Sequence, residues 1–343
     1  MSAKVVAFGE IMLRLSPPGF ERFLQSPVLQ ATFGGGEANV AVSLAHFGLE
    51  SWYVTRLPAN AIGDAAVRAL RAEGVHTEAI VRGGSRLGIY FTETGASQRA
   101  STVIYDRAHS AISEMPVDAV DWRATLAGTS WFHLTGITPA LGARGVAASE
   151  AALAAARSAG AKISLDLNYR KKLWSPAEAQ AVMRVLAKDV DVIIANEEDL
   201  QHVLGVSVEG ADVTGGHLDL EAYRDAARRV ASEFGVTHVA VTLRESTSAS
   251  ENGWSAVLWD ASTGAFHRSQ HYRISVVDRI GGGDSFAAGL IYGLVTGRSA
   301  EASLRFAVAA SALKHSIPGD FNRASVTEVD QLAAGDGSGR VQR

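Results

Sequence analysis

Apolar positions along this chain follow two rhythms. Residues 5–8, 131–134, 163–167, 192–195 and 238–243 are apolar at nearly every position and are bounded by Gly, Asp or Asn. Such runs suit strands of a parallel sheet covered on both faces, where neither side of the pleat meets water. Between them the spacing changes to three and four. Residues 39–47 carry Val40, Leu44 and Phe47 and stop at Gly48, while residues 176–187 open on Pro176, so both stretches read as helices. Strand and helix alternate through most of the second half. That predicts an α/β fold with a doubly wound, mostly parallel sheet and helices on both faces.

The first third breaks this rhythm. Residues 11–33 and 85–107 contain short alternating segments, among them Gly88-Ile89-Tyr90-Phe91-Thr92-Glu93 and Thr102-Val103-Ile104-Tyr105. The turn-forming residues Thr94-Gly95-Ala96-Ser97 separate these two, as in a hairpin. The pattern predicts a small β-sheet flanking the α/β core, placed to cover a site as a lid. Residues 331–343 read as a flexible tail.

Composition narrows the partners. Hydrophobic residues make up 47% of the 343 and charged residues 20%, which places the chain among ordinary globular proteins rather than disordered ones. A net charge of −4 leaves no basic footprint for nucleic acid. The absence of cysteine excludes disulfides, thiolate metal sites and cysteine nucleophiles. No apolar stretch approaches the roughly 18 residues a membrane span needs. The apolar run 5–8 is too short for a signal-peptide core, so the cytoplasm is the expected location.

The stretch richest in chemistry is Asp278-Arg279-Ile280-Gly281-Gly282-Gly283-Asp284-Ser285-Phe286. Three glycines free the backbone for positive φ and for close approach of a ligand. The spacing of Phe286, Leu290 and Leu294 then begins a helix. A glycine turn feeding a helix N-terminus presents unpaired N–H groups and the positive end of a dipole, which suits phosphate oxygens. Asp284 stands at that junction, where a carboxylate can take a hydroxyl proton while the amides stabilise charge on a transferred group. From the pattern alone, a plain tight turn with Asp284 as helix N-cap fits equally. No Lys-Ser or Lys-Thr follows the glycines, so the stretch is not a P-loop.

These residues resemble the C-terminal signature of the ribokinase-like (PfkB) sugar kinases, Asp-Thr-x-Gly-Ala-Gly-Asp-x-Phe. Gly34-Gly35-Gly36-Glu37-Ala38-Asn39 is similar to the family's sugar-binding Gly-Gly-x-x-x-Asn element. The resemblance covers roughly residues 4–325, with both motifs in the family's order. It implies a ribokinase-like fold, a single kinase domain over residues 1–330, and ATP with Mg2+ as phosphoryl donor. It also implies Asp284 as general base, Gly281, Gly282 and Gly283 as the anion hole, and sugar contacts from Gly34, Gly35 and Asn39. Nucleotide-side contacts would come from Asn168, Arg170, Asn196 and Thr242, together with Gly281 and Gly283. Asn196-Glu197-Glu198-Asp199 stands where the family has Asn-x-x-Glu, which implies that Asp199 helps place Mg2+ through water. Three departures stand out. Arg279 replaces the usual Thr and receives no role; Gly282 replaces Ala, read as added backbone freedom only. Thr242-Leu243-Arg244-Glu245-Ser246 lacks the glycines of the family's Thr-x-Gly-x-x-Gly loop.

Tyr105-x-Arg107-x-x-Ser110-Ala111 and Lys314-His315-Ser316-Ile317-Pro318-Gly319-Asp320-Phe321 resemble stretches of the 2-keto-3-deoxygluconate kinases within that family. The likeness implies that Tyr90, Tyr105, Arg107 and Arg170 hold an acid sugar and that Asp320 reaches it. Two arginines suit a carboxylate better than a neutral hexose, because a guanidinium pairs its donors with both carboxylate oxygens. The expected reaction is ATP-dependent phosphorylation of 2-keto-3-deoxygluconate to its 6-phosphate. Two alternatives stay open. One is a kinase for fructose, ribose or 5-keto-2-deoxygluconate; the other is a sugar-binding protein of the same fold without the chemistry. A homodimer pairing through Ile89, Phe91, Val103 and Ile104 of the lid is also expected, although these alternating residues could equally pack only on their own domain.

Overall fold

In the computed structural model, which describes residues 2–208 and 219–337, six parallel strands lie side by side. Their order is Glu50–Val54, Lys4–Phe8, Trp131–Thr135, Lys162–Asp166, Val192–Asn196 and His238–Ser246. The sheet continues in the antiparallel sense through Glu251–Asp260, which pairs with both Ala265–Arg268 and Tyr272–Ser275. Five of the six parallel strands are the apolar runs. The sixth, Glu50–Val54, alternates half-buried and buried positions and so carries a weaker signal.

Side chains alternate across this sheet into two cores. Val6 and Phe8 join one with the helices Ala143–Ser158, Pro176–Leu186 and Leu220–Phe234. Val5 joins the other with the helices Gly36–His46, Gly282–Val295 and Ala300–Lys314. Burial on both faces is why the strands could be apolar throughout. Ser175 caps Pro176–Leu186 in a reciprocal box with Glu178, with Pro176 in the first turn, where its missing N–H costs nothing.

The alternating segments of the first third form a separate four-stranded sheet in the order Gln30–Gly34, Met12–Ser16, Ile89–Glu93, Thr102–Asp106. The hairpin is present, with Tyr90 paired opposite Tyr105. The region read as a tail is helical at its start, because Val326–Ala333 forms a helix capped by Ser325 and Glu328. Residues 338–343 of that tail lie outside the described residues. Among the described residues, no helix is long and apolar enough to cross a membrane.

Candidate active site

The C-terminal ends of the parallel strands open onto a cleft of about 990 Å³, lined also by Tyr90, Tyr105 and Arg107 from the small sheet and its exit. Strand ends are where open α/β sheets hold ligands, since the loops there diverge. Asp284 occupies the first turn of Gly282–Val295 and faces this cleft. Its Oδ2 accepts a 2.7 Å hydrogen bond from Asn39 Nδ2, while Asn39 Oδ1 accepts from the Gly35 amide. Burial pushes the Asp284 carboxyl up to about 6, against the opposing pull of the Asn39 hydrogen bond and the Arg170 charge.

The three glycines divide the work. Gly281 has φ +84°, a conformation that favours glycine, and a Cβ there would come within 2.1 Å of the Asp320 carbonyl. Gly283 lines the cleft with open space around it. The first intrahelical bond runs from Ser285 N–H to Gly281 O, so the amides of Gly283 and Asp284 precede it. Gly282 is different: its amide is spent on the Arg279 carbonyl, and a Cβ there would lie 2.5 Å from the His315 ring. The expectation that this glycine adds backbone freedom only is corrected. Gly282 makes room for His315, and its amide is turned into the loop.

The glycines expected to contact the sugar shift by one position. Gly35 and Gly36 line the cleft, whereas Gly34 packs against Asp320, where a Cβ would lie 1.9 Å from Oδ2. Asp320 lines the cleft, yet both its oxygens are engaged. Oδ1 accepts from Arg14 Nη1 at 2.7 Å and Oδ2 from the Tyr90 hydroxyl at 2.5 Å. Arg107 is not an unpaired cation either. Its Nε donates to Glu10 Oε2 at 2.8 Å, Nη2 contacts the same oxygen, and Ser110 completes the set on Oε1. Tyr105 is exposed on the cleft wall and stacks under the Arg107 guanidinium. Arg170 is exposed at the cleft edge.

On the other side, Asn196 caps the helix Glu197–Leu204, and Asp199 closes a reciprocal box with it. Asp199 Oδ2 accepts from the Asn196 amide and Oδ1 from the Tyr169 amide, which fixes the carboxylate at the cleft. Burial lifts Asp199 to about 6. Asn168 lines the cleft in a left-handed conformation, φ +41°, unusual for a residue with a side chain. Thr242 lies at the cleft with its hydroxyl directed to the Ala195 carbonyl. Arg279 lines it too, with Nη2 donating to the Ala249 carbonyl; burial and the nearby Arg244 lower its pKa.

Two residues that the motifs did not single out complete the site. Asp166, at the end of Lys162–Asp166, has a carboxyl held well above the ordinary range by burial and by Asp199 and Asp284. Arg14, from the small sheet, is buried between Asp278 at 2.6 Å and Asp320 at 2.7 Å. Burial opposes its charge, but the two carboxylates more than offset that and raise its pKa. A strand-end aspartate was a readable signal; an arginine in the alternating run Met12–Ser16 reads as solvent-facing.

A carboxylate at the mouth of a helix N-terminus, between a doubly wound sheet and a small covering sheet, is an arrangement suited to phosphoryl transfer onto a hydroxyl. The chain matches the model of the pfkB family carbohydrate kinases over residues 2–323, and it belongs to that family of sugar kinases. Its structure is similar to a 2-dehydro-3-deoxygluconokinase from Thermotoga maritima, with 51% identity and TM-score 0.93 over 97% of this chain and 100% of that one. A 2-dehydro-3-deoxygalactonokinase from Haloferax volcanii is 32% identical over 99% of each chain. A 5-dehydro-2-deoxygluconokinase from Shouchella clausii is 26% identical over 91% of this chain and 90% of that relative.

Proposed function

We propose that this chain transfers the γ-phosphoryl group of ATP to the terminal hydroxyl of 2-keto-3-deoxygluconate, giving the 6-phosphate. The observation that carries the reading is the convergence in one cleft of Asp284, the free amides beside it, and the arginines 107 and 170. Asp284 takes the hydroxyl proton as the oxygen attacks, and its raised pKa brings it nearer the optimum for a base at neutral pH. The amides of Gly283 and Asp284 stabilise charge on the moving group, with Gly281 shaping their turn. Asn39 holds Asp284 in place. Arg170 and Arg107, both lining the cleft, would hold the sugar carboxylate, with Tyr90 and Tyr105 beside it.

Asp166, Asp199 and Asp284 give the cleft an acidic side, although among the described residues no three acidic or histidine side chains stand close enough to hold a metal by themselves, so Mg2+ would arrive with ATP. Bound with ATP, it would neutralise charge on the phosphate oxygens. Asp166, and Asp199 through water, are the residues to hold it, beside Asn168, Asn196 and Thr242 on the nucleotide side. ATP as donor supports a cytoplasmic location.

The test is a coupled ADP-release assay with Mg-ATP and a panel of 2-keto-3-deoxygluconate, 2-keto-3-deoxygalactonate, 5-keto-2-deoxygluconate, fructose, ribose and gluconate. Selective turnover of 2-keto-3-deoxygluconate supports the reading. Preference for the galacto acid, favoured by the 32% identical relative, changes the epimer and keeps the pocket. Turnover of neutral sugars alone overturns the carboxylate assignment. Silence on every acceptor leaves the non-catalytic sugar-binding reading.

We extend the proposal to a homodimer through the small sheet, where Ile104 on the edge strand is 50% exposed opposite the half-buried Phe91, with Ile89 on the same face; Val103 lies on the other face and drops out of the expected set.

A further inference from the structure

Lys314, the last residue of Ala300–Lys314, has no solvent exposure. Its Nζ donates to the carbonyl of Asp278 at 3.3 Å and to that of Ile317 at 3.1 Å. Both partners are neutral oxygens, and among the described residues Lys314 forms no ion pair. A buried ammonium without a paired carboxylate is costly, and an apolar side chain would fill the same space more cheaply. Packing therefore does not account for a cation here. Its location does. The side chain runs under the glycine turn, with Cε 3.2 Å from the point where a Gly281 Cβ would be. The two carbonyls belong to different loops, one leading into Gly281 and the other into Gly319 and Asp320. The same loops are joined by the Val277 amide to the His315 carbonyl and by the Gly319 amide to Asp278 Oδ2.

We infer that Lys314 is a positioning residue for phosphoryl transfer, its buried ammonium drawing the Asp278 and Ile317 carbonyls inward so that the amides of Gly283 and Asp284 face the cleft with a fixed positive charge behind them. In a buried setting such a charge acts on the transferred group with little screening. Burial lowers the Lys314 pKa, while Asp278, Asp320 and Asp284 favour the charged form. The inference rests on the reading of the glycine turn as the anion site.

The experiment compares wild type, Lys314→Met and Lys314→Ala with Mg-ATP and 2-keto-3-deoxygluconate. Lys314→Met, which keeps the packing, is expected to lose kcat by roughly 10- to 100-fold with little change in the acceptor KM. Lys314→Ala opens a space between the same carbonyls, so ammonium chloride should restore turnover and tetramethylammonium chloride should not. Melting curves in each salt separate this rescue from general stabilisation, and if Lys314→Met does not fold, the salt-specific turnover of Lys314→Ala decides the matter. Wild-type kcat in Lys314→Met, or an alanine variant indifferent to the choice of salt, overturns the inference. Should wild type itself turn over nothing, the function reading fails separately, and calorimetric Mg-ATP titration of both proteins takes over. Weaker binding in the variant then supports the role of Lys314, and equal binding overturns it.

Discussion

As the proposed base, Asp284 must be ionised to take a proton. With its pKa near 6, kcat/KM should fall as pH drops through that value and level off above it. Asp284→Asn should lower kcat by about 10²–10⁴-fold and remove that acidic limb from a pH–rate profile. Arg107→Ala leaves the buried Glu10 unpaired and should lower stability, and beyond that it should raise the KM for the keto acid by roughly tenfold or more relative to that for a neutral sugar; an unchanged ratio of the two would remove the carboxylate role. Arg14 makes the opposite kind of case. It was not legible in Met12–Ser16, because its partners lie 264 and 306 residues away. Arg14→Met strands two buried carboxylates and should cost about 3–5 kcal/mol in denaturant unfolding.

Among elements, the helix Gly282–Val295 was readable from its glycines and apolar spacing, and so was its use as an N-terminus. Its fit against the neighbouring helix was not. His315, just past Ala300–Lys314, occupies the space beside Gly282 and is held by the Ser311 carbonyl. Gly282→Ala should therefore destabilise by about 1–3 kcal/mol in thermal or denaturant unfolding, through overpacking. Adding His315→Ala should recover most of that loss, and purely additive effects would mean the two do not share the space. The reciprocal cap of Asn196 and Asp199 teaches the same lesson. The pair reads as a nucleotide-side motif, yet its first task is to start a helix and fix the two side chains at the cleft.

At the scale of the whole molecule, the small sheet meets the large one across the cleft, and Arg14 and Tyr90 tie it to the segment carrying Asp320. Its outer edge remains apolar at Ile104. If that edge pairs two copies, light scattering should report a dimer for the wild type and a monomer for Ile104→Asp; a wild-type monomer would end the proposal.

By itself the sequence determined the two-faced parallel sheet, the existence of a second small sheet, the glycine turn that starts a helix, and Asp284 at its mouth. These are local in origin: runs of apolar residues, turn chemistry and one contiguous motif suffice to write them. Tertiary structure alone decided that Gly36 rather than Gly34 lines the cleft and that Gly282 yields to a histidine ring. It also decided that Arg107 comes paired with Glu10, and that a lysine lies buried beneath the turn. Each depends on groups distant in the chain meeting in a dry interior, where a polar atom must find a partner and a Cβ must find room.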